Sequence, residues 1–97
     1  MSYDVRFSKQ IQRQIGRLPG NVRSLARRRI LDLRTQPRPA DAKELEGHPS
    51  FFRIWLDVDF RLVWQVDDDL RLVDIFYVGP KSDDLYAELG LGDAKGS

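Results

Sequence analysis

Along this chain apolar and polar residues first alternate, then recur at helical spacing, then alternate again. Tyr3, Val5 and Phe7 alternate with Asp4 and Arg6, which predicts a short strand over about residues 2–7. Ser8 follows, and its hydroxyl suits the first turn of a helix as an N-cap. Ile11, Ile15 and Leu18 then recur on one helical face until Pro19-Gly20 breaks the run. Val22, Leu25, Ala26, Ile30 and Leu33 form the stripe of a second helix, about residues 21–35, with Asn21 as its cap. Two amphipathic helices joined by Pro-Gly make an antiparallel helical hairpin. Pro37 and Pro39 open an irregular connection that reaches about Ser50, with His48 in the loop.

The rest reads as strands. Phe52, Ile54, Leu56 and Val58 alternate with Phe51, Arg53, Trp55 and Asp57. Beyond a tight turn near Asp57–Asp59, Phe60, Leu62, Trp64 and Val66 alternate with Arg61, Val63 and Gln65. Asp67-Asp68-Asp69 is a polar turn, and a third run follows over about residues 71–78. Ser82 caps a short final helix to about Leu89, with Asp83 and Asp84 at its positive end. The expected fold class is α+β: an N-terminal strand, the helical hairpin, a three-stranded antiparallel meander and a short C-terminal helix. Residues 1–89 form one domain, and residues 90–97 a Gly-rich tail. Phe52, Ile54, Leu56, Phe60, Leu62, Trp64, Phe76 and Val78 are expected on the helix-covered face of the sheet. Arg53, Trp55, Arg61, Gln65 and Tyr77 are expected on an exposed one.

Composition narrows the classes. Ninety-seven residues with 41% hydrophobic and 10% aromatic content suit one ordered domain and argue against disorder. No apolar run is long enough to span a bilayer, and the N-terminus has no signal-like stretch, so a cytoplasmic protein is the default. With no cysteine and one histidine, thiolate zinc sites, cysteine nucleophiles and histidine-based triads are excluded or thinly supplied. The net charge of +1 hides a division: residues 1–40 carry +8 and residues 41–97 carry −7. Such a split points to a polyanion or an acidic partner.

Several stretches resemble the RelE/ParE superfamily of bacterial toxins from type II toxin–antitoxin pairs. They are Lys43-Glu44-Leu45-Glu46-Gly47, Phe52-Arg53-Ile54, Asp59-Phe60-Arg61-Leu62-Val63-Trp64-Gln65-Val66-Asp67 and Tyr77-Val78-Gly79-Pro80-Lys81, followed by Tyr86. The third strand and the short hairpin are closer to the RelE branch, whose members cut messenger RNA on the ribosome without a metal or cofactor. ParE-type members instead poison DNA gyrase. The resemblance implies catalytic roles for Arg61, Lys81 and Tyr86: the two cations stabilise the phosphorane, and the tyrosine stacks on a base or transfers a proton. It implies that Arg53 holds a phosphate of the RNA, and Trp55, at the departure from the family pattern, is expected to bind RNA by stacking on a base. The family has two basic residues two apart on the strand after the loop. Arg53 matches the first, but Trp55 stands in place of the second, and an indole cannot accept the proton that a lysine can.

Arg13, Arg17, Arg23, Arg27 and Arg28 on the hairpin are candidates for contact with a cognate antitoxin or with ribosomal RNA. An antitoxin segment that folds on the toxin, acidic and amphipathic, suits this surface. Three functions stand open at this point: a ribosome-dependent endoribonuclease that inhibits translation, a non-catalytic gyrase poison, and a weakened member that only binds an antitoxin.

Overall fold

The structure, a computed structural model of the chain, describes residues 2–82. Its elements are β1 (Asp4–Arg6), α1 (Lys9–Gly16), α2 (Gly20–Asp32), β2 (Lys43–Leu45), β3 (His48–Trp55), β4 (Phe60–Asp67) and β5 (Leu72–Pro80). The five strands form one sheet in the order β1-β5-β4-β3-β2. β2, β3, β4 and β5 run antiparallel to their neighbours, while β1 lies parallel to β5 with Val5 opposite Val73. The fold is thus α+β, but its sheet is five-stranded and mixed rather than a three-stranded meander beside a separate strand. The expected final helix, Tyr86 within it, and the tail lie outside the described residues.

Local chemistry explains the elements. Ser8 caps α1 as its position suggests, its hydroxyl accepting from the Ile11 N–H at 3.3 Å. α2 departs from expectation: it starts at Gly20 with Pro19 in the cap position and no side-chain cap, so Asn21 is already inside the helix. Proline suits this entry because its φ is fixed and its missing N–H would have had no partner there. The regular helix ends at Asp32, short of residue 35.

The stretch before Ser50 is not irregular throughout. Leu45 pairs with His48 across a two-residue turn, Glu46-Gly47, in which Gly47 takes φ +79°. His48 therefore opens β3 rather than sitting in a loop. The β2–β3 register then slips between Glu44 and Leu45, and Ser50 adopts φ +75°, a left-handed conformation unusual for a residue with a Cβ. The Glu44 carboxylate accepts from the Ser50 N–H at 3.0 Å and so satisfies the donor that the slip exposes. At its other end β3 stops at Trp55; Val58 belongs to the bend and is 78% exposed, not part of an alternating strand.

Both helices cover one face of the sheet. Ile11, Ile15, Val22, Ala26, Ile30 and Leu33 meet Phe52, Ile54, Leu56, Leu62, Trp64, Val66, Val73, Ile75 and Val78 in one core. Trp64 is fully buried, stacks on Phe52 with ring centroids 6.0 Å apart, and donates its indole N–H to the Pro37 carbonyl at 2.9 Å. Phe76, expected in this core, lies on the opposite face. Val63 pairs with Tyr77 but Trp64 pairs with Ile75, so β5 carries one extra residue at this point. That bulge shifts the alternation by one, sending Ile75 and Val73 inward and Phe76 outward. On the outer face Phe76 joins Phe51, Tyr77, Leu45 and Val63 in a second, smaller apolar cluster.

A surface lattice ties the chain's start to the sheet. The Tyr3 hydroxyl donates to Asp68 at 2.6 Å, and the Arg38 guanidinium grips the same carboxylate with contacts of 3.1 and 2.9 Å. Hydrogen bonds from Arg38, and next from Tyr3, hold the Asp68 carboxyl below its ordinary range. The Arg29 guanidinium does the same for Asp41 across a 2.7 Å contact.

Candidate functional site: the outer face of the sheet

The face turned away from the helices gathers the candidate residues of β3 and β4. Trp55 and Arg61 are directly opposite one another across the β3–β4 ladder, and Arg53 is opposite Val63 two residues along. Strand periodicity therefore puts Arg53, Trp55 and Arg61 on one face. Lys43 of β2 extends the row beside Arg53. This face is not simply exposed: Arg53 and Arg61 are each only 7% accessible. Charge is costly to bury, and two guanidinium groups on neighbouring strands add like-charge repulsion. A fold gains no stability from such an arrangement that apolar residues would not supply, which is the usual mark of a site kept for binding or chemistry.

Trp55 organises the open end of this face. The Arg61 guanidinium lies over its ring, 4.2 Å from the centroid, and the Lys81 ammonium lies 5.4 Å from the same centroid. Lys81 is brought there by its backbone, whose N–H donates to the Asp59 carbonyl in the β3–β4 bend at 2.8 Å. Lys81 itself stays exposed to solvent beside the ring. Next in the ladder after Arg61 comes Gly79. A Cβ there would meet the Tyr77 hydroxyl at 2.8 Å, because Tyr77 folds along its own strand to donate to the Pro80 carbonyl at 2.6 Å. The missing side chain thus leaves the space that Tyr77 occupies beside the cations.

The structure brings together Arg53, Trp55, Arg61 and Lys81; Tyr86 lies outside the described residues. Sequence reading passed over Lys43 and the Gly79–Tyr77 arrangement as parts of the site. The Glu46-Gly47 turn was the signal for the strand that carries Lys43, and a glycine inside an apolar run marked a close approach. Among the described residues, no three histidine or acidic side chains gather to hold a metal ion.

The hairpin arginines form a separate surface. Arg13, Arg17, Arg27 and Arg28 are exposed, and none pairs with a carboxylate among the described residues. Arg23 is half-buried and reaches the Gly16 carbonyl at 3.4 Å. Three other cations of the basic half are already matched, Arg6 with Asp74, Arg29 with Asp41 and Arg38 with Asp68. Between β1 and the two helices runs a groove of about 440 Å³ whose lining includes Phe7, Ile15, Ile30 and Leu31, with Arg27 and Arg34 beside them. No helix among the described residues is long and apolar enough to cross a membrane.

Fold and face together define a small α+β domain with two helices on one side of a mixed sheet and buried arginines on the other. No protein-family model matches the chain, and no curated protein does. Solved structures do. A mutant of the Escherichia coli toxin RelE in the free state superimposes with a TM-score of 0.77 at 26% identity, over 93% of this chain and 96% of that one. The toxin of the intact E. coli RelBE toxin–antitoxin complex gives 0.71 at 27% identity, over 84% and 99%. The RelE–RelB complex of Pyrococcus horikoshii gives 0.72 at 24% identity, over 86% and 99%. By its structure the chain is a member of the RelE-like toxin superfamily.

Proposed function

We propose that the chain is the toxin of a type II toxin–antitoxin pair, and that it arrests translation as a metal-independent endoribonuclease acting on messenger RNA in the ribosome. The observation that carries the reading is the clustering of Arg61 and Lys81 around one ring, with Arg53 on the same sheet face of a RelE-like fold. Cleavage by an internal 2′-hydroxyl forms a bond from that oxygen to phosphorus and breaks the bond to the 5′-oxygen. Negative charge gathers on the non-bridging oxygens, and fixed cations on a rigid strand stabilise it without having to reorganise. Arg61 and Lys81 take that role, and Arg53 holds an adjacent phosphate. Tyr86 is the remaining candidate for proton transfer or stacking.

The inhibitor in this reading is a cognate antitoxin whose acidic amphipathic segment lies along the hairpin groove. Its apolar side meets Phe7 and Leu31, and its carboxylates meet the unpaired arginines of the same surface. Complexes of RelE toxins with RelB antitoxins among the similar structures support a partner of this kind. A second reading, a gyrase poison or a non-cleaving binder, is favoured by one observation only: Trp55 stands where a basic residue would take the proton.

The test is to induce the chain alone in cells and to follow growth, messenger 5′ ends and plasmid supercoiling together. Growth arrest with new ends inside codons and unchanged supercoiling supports the ribonuclease. Arrest with intact messengers and lost supercoiling supports the poison. No arrest at all leaves only antitoxin binding.

A further inference from the structure

We infer that Trp55 is a base-stacking platform, so that this face takes single-stranded RNA by the bases as well as by the phosphates. The inference rests on the reading above that the outer face binds RNA. An exposed indole held beside two cations carries it. Arg61 lies over the indole at 4.2 Å yet is only 7% accessible, whereas Trp55 is 43% accessible. Arg61 and Lys81 both lie over the ring, and the indole still turns surface to solvent. An exposed tryptophan of this kind is not explained by the core, which closes beneath it on the opposite face of β3 through Ile54 and Leu56.

The surroundings fix which ligand suits that surface. A nucleobase stacks on any aromatic face, with little regard to its identity. Lys81, 5.4 Å from the ring centroid, stands ready for the phosphate attached to the same nucleotide. The guanidinium below draws electron density from the indole, and the indole in turn holds the guanidinium in place by cation–π attraction. Base, indole and guanidinium then form a three-layer stack at the edge of the cationic face. In this arrangement the loss of a basic residue at position 55 is a change of binding mode, from a charge contact to a stacking contact.

Intrinsic fluorescence reads this site directly, because Trp64 is fully buried in the core and Trp55 is the other tryptophan of the chain. The experiment titrates the purified full chain with a uridine hexanucleotide and with an abasic oligonucleotide of equal length and charge. It uses wild type, Trp55→Leu and Trp55→Phe, each checked by thermal melting, with affinities of all three proteins read from the anisotropy of end-labelled oligonucleotides and quenching followed in wild type. The expected result is quenching by the base-bearing strand, and an affinity lower for the abasic strand by about 5- to 150-fold. Trp55→Leu should lose that difference while keeping the wild-type salt dependence, and Trp55→Phe should keep part of it.

Equal affinity for the two strands in wild type overturns the platform and leaves RNA binding by the cations intact. Binding to neither strand overturns the RNA reading of the face itself. Quenching by an acidic peptide but not by RNA assigns the indole to a protein interface and also overturns the platform. If Trp55→Leu melts early, Trp55→Phe and the abasic comparison in wild type still decide the matter.

Discussion

Phe52 and Arg53 are neighbours in β3 and almost equally buried, at 8% and 7% exposure, yet they point to opposite faces of the sheet and into different chemistry. Phe52 stacks on Trp64 in a core closed by both helices. Arg53 lies among Val63, Lys43 and the Trp55–Arg61 pair on a face that no described helix covers. The helix side is built for stability: every side chain removes apolar surface from water. The outer side is built against it, with two guanidinium groups held where leucines would serve a fold better. The difference teaches where to look for function, because the outer face buries charge where the inner one buries apolar surface.

Substitutions on each side sharpen the contrast. The largest expected effect is structural: Trp64→Ala removes a fully buried ring and its hydrogen bond to Pro37, and should cost about 3–5 kcal/mol in urea unfolding. Arg61→Ala should do the reverse of this, leaving the unfolding midpoint near wild type while lowering RNA cleavage by about 100- to 1000-fold in a primer-extension assay. A fold that collapses in Arg61→Ala, or a Trp64→Ala protein as stable as wild type, would break the division between the faces. Next comes Trp55→Leu, which should lose base-dependent affinity while keeping its melting temperature. Smaller still is Gly79→Ala. Its methyl must displace the Tyr77 hydroxyl from Pro80, at about 1 kcal/mol, seen as a modest shift in the urea midpoint.

The smallest effect concerns the lattice at the edge of the sheet. Asp68 has its folded-state pKa lowered from 3.8, first by Arg38 and then by Tyr3. A lowered carboxyl pKa contributes stability that is present above the unfolded value and lost as pH falls through the folded one. Tyr3 works in the opposite sense. Its pKa is raised from 10.0, chiefly by the hydrogen bond to Asp68, so its contribution is present below that value and lost as pH rises through the folded one. Wild type should therefore lose a small increment below pH ~4 that Asp68→Asn never had, measured as unfolding midpoints between pH 7 and pH 2. Parallel curves for the two proteins would remove Asp68 from the account.

Much of this was legible in the pattern of residues. The i, i+4, i+7 spacing of Ile11, Ile15 and Leu18, the Ser8 cap and the β3–β4 pairing all follow from local chemistry, and so the stacking partners Phe52 and Trp64 follow too. Phe76 was not legible, because a bulge of one residue in β5 shifts the alternation of Val73, Ile75 and Phe76 against that of Tyr77 and Val78 and leaves no mark on composition. β2 was hidden by its length: three residues carry too little alternation to stand out, and its pairing depends on the Glu46-Gly47 turn and a register slip. Asn21 misled because Pro19 already opens the helix two positions earlier.

On the candidate face, the grouping of Arg53, Trp55 and Arg61 was legible but their burial was not. Arg53 and Arg61 read as exposed because arginine usually is, whereas each is only 7% accessible. The split of charge proved partly internal, since Arg6, Arg29 and Arg38 are matched by acids from the second part of the chain.

The most direct test of the central claim is cleavage in a purified system. Ribosomes carrying a defined messenger with an empty A site are mixed with the chain or with its Arg61→Ala variant, and the messenger's 5′ ends are read on a gel. The account expects a cut within the A-site codon by the wild-type chain, and about 100-fold or more slower cutting by the variant. A messenger left whole by a wild-type chain that still arrests growth would contradict it.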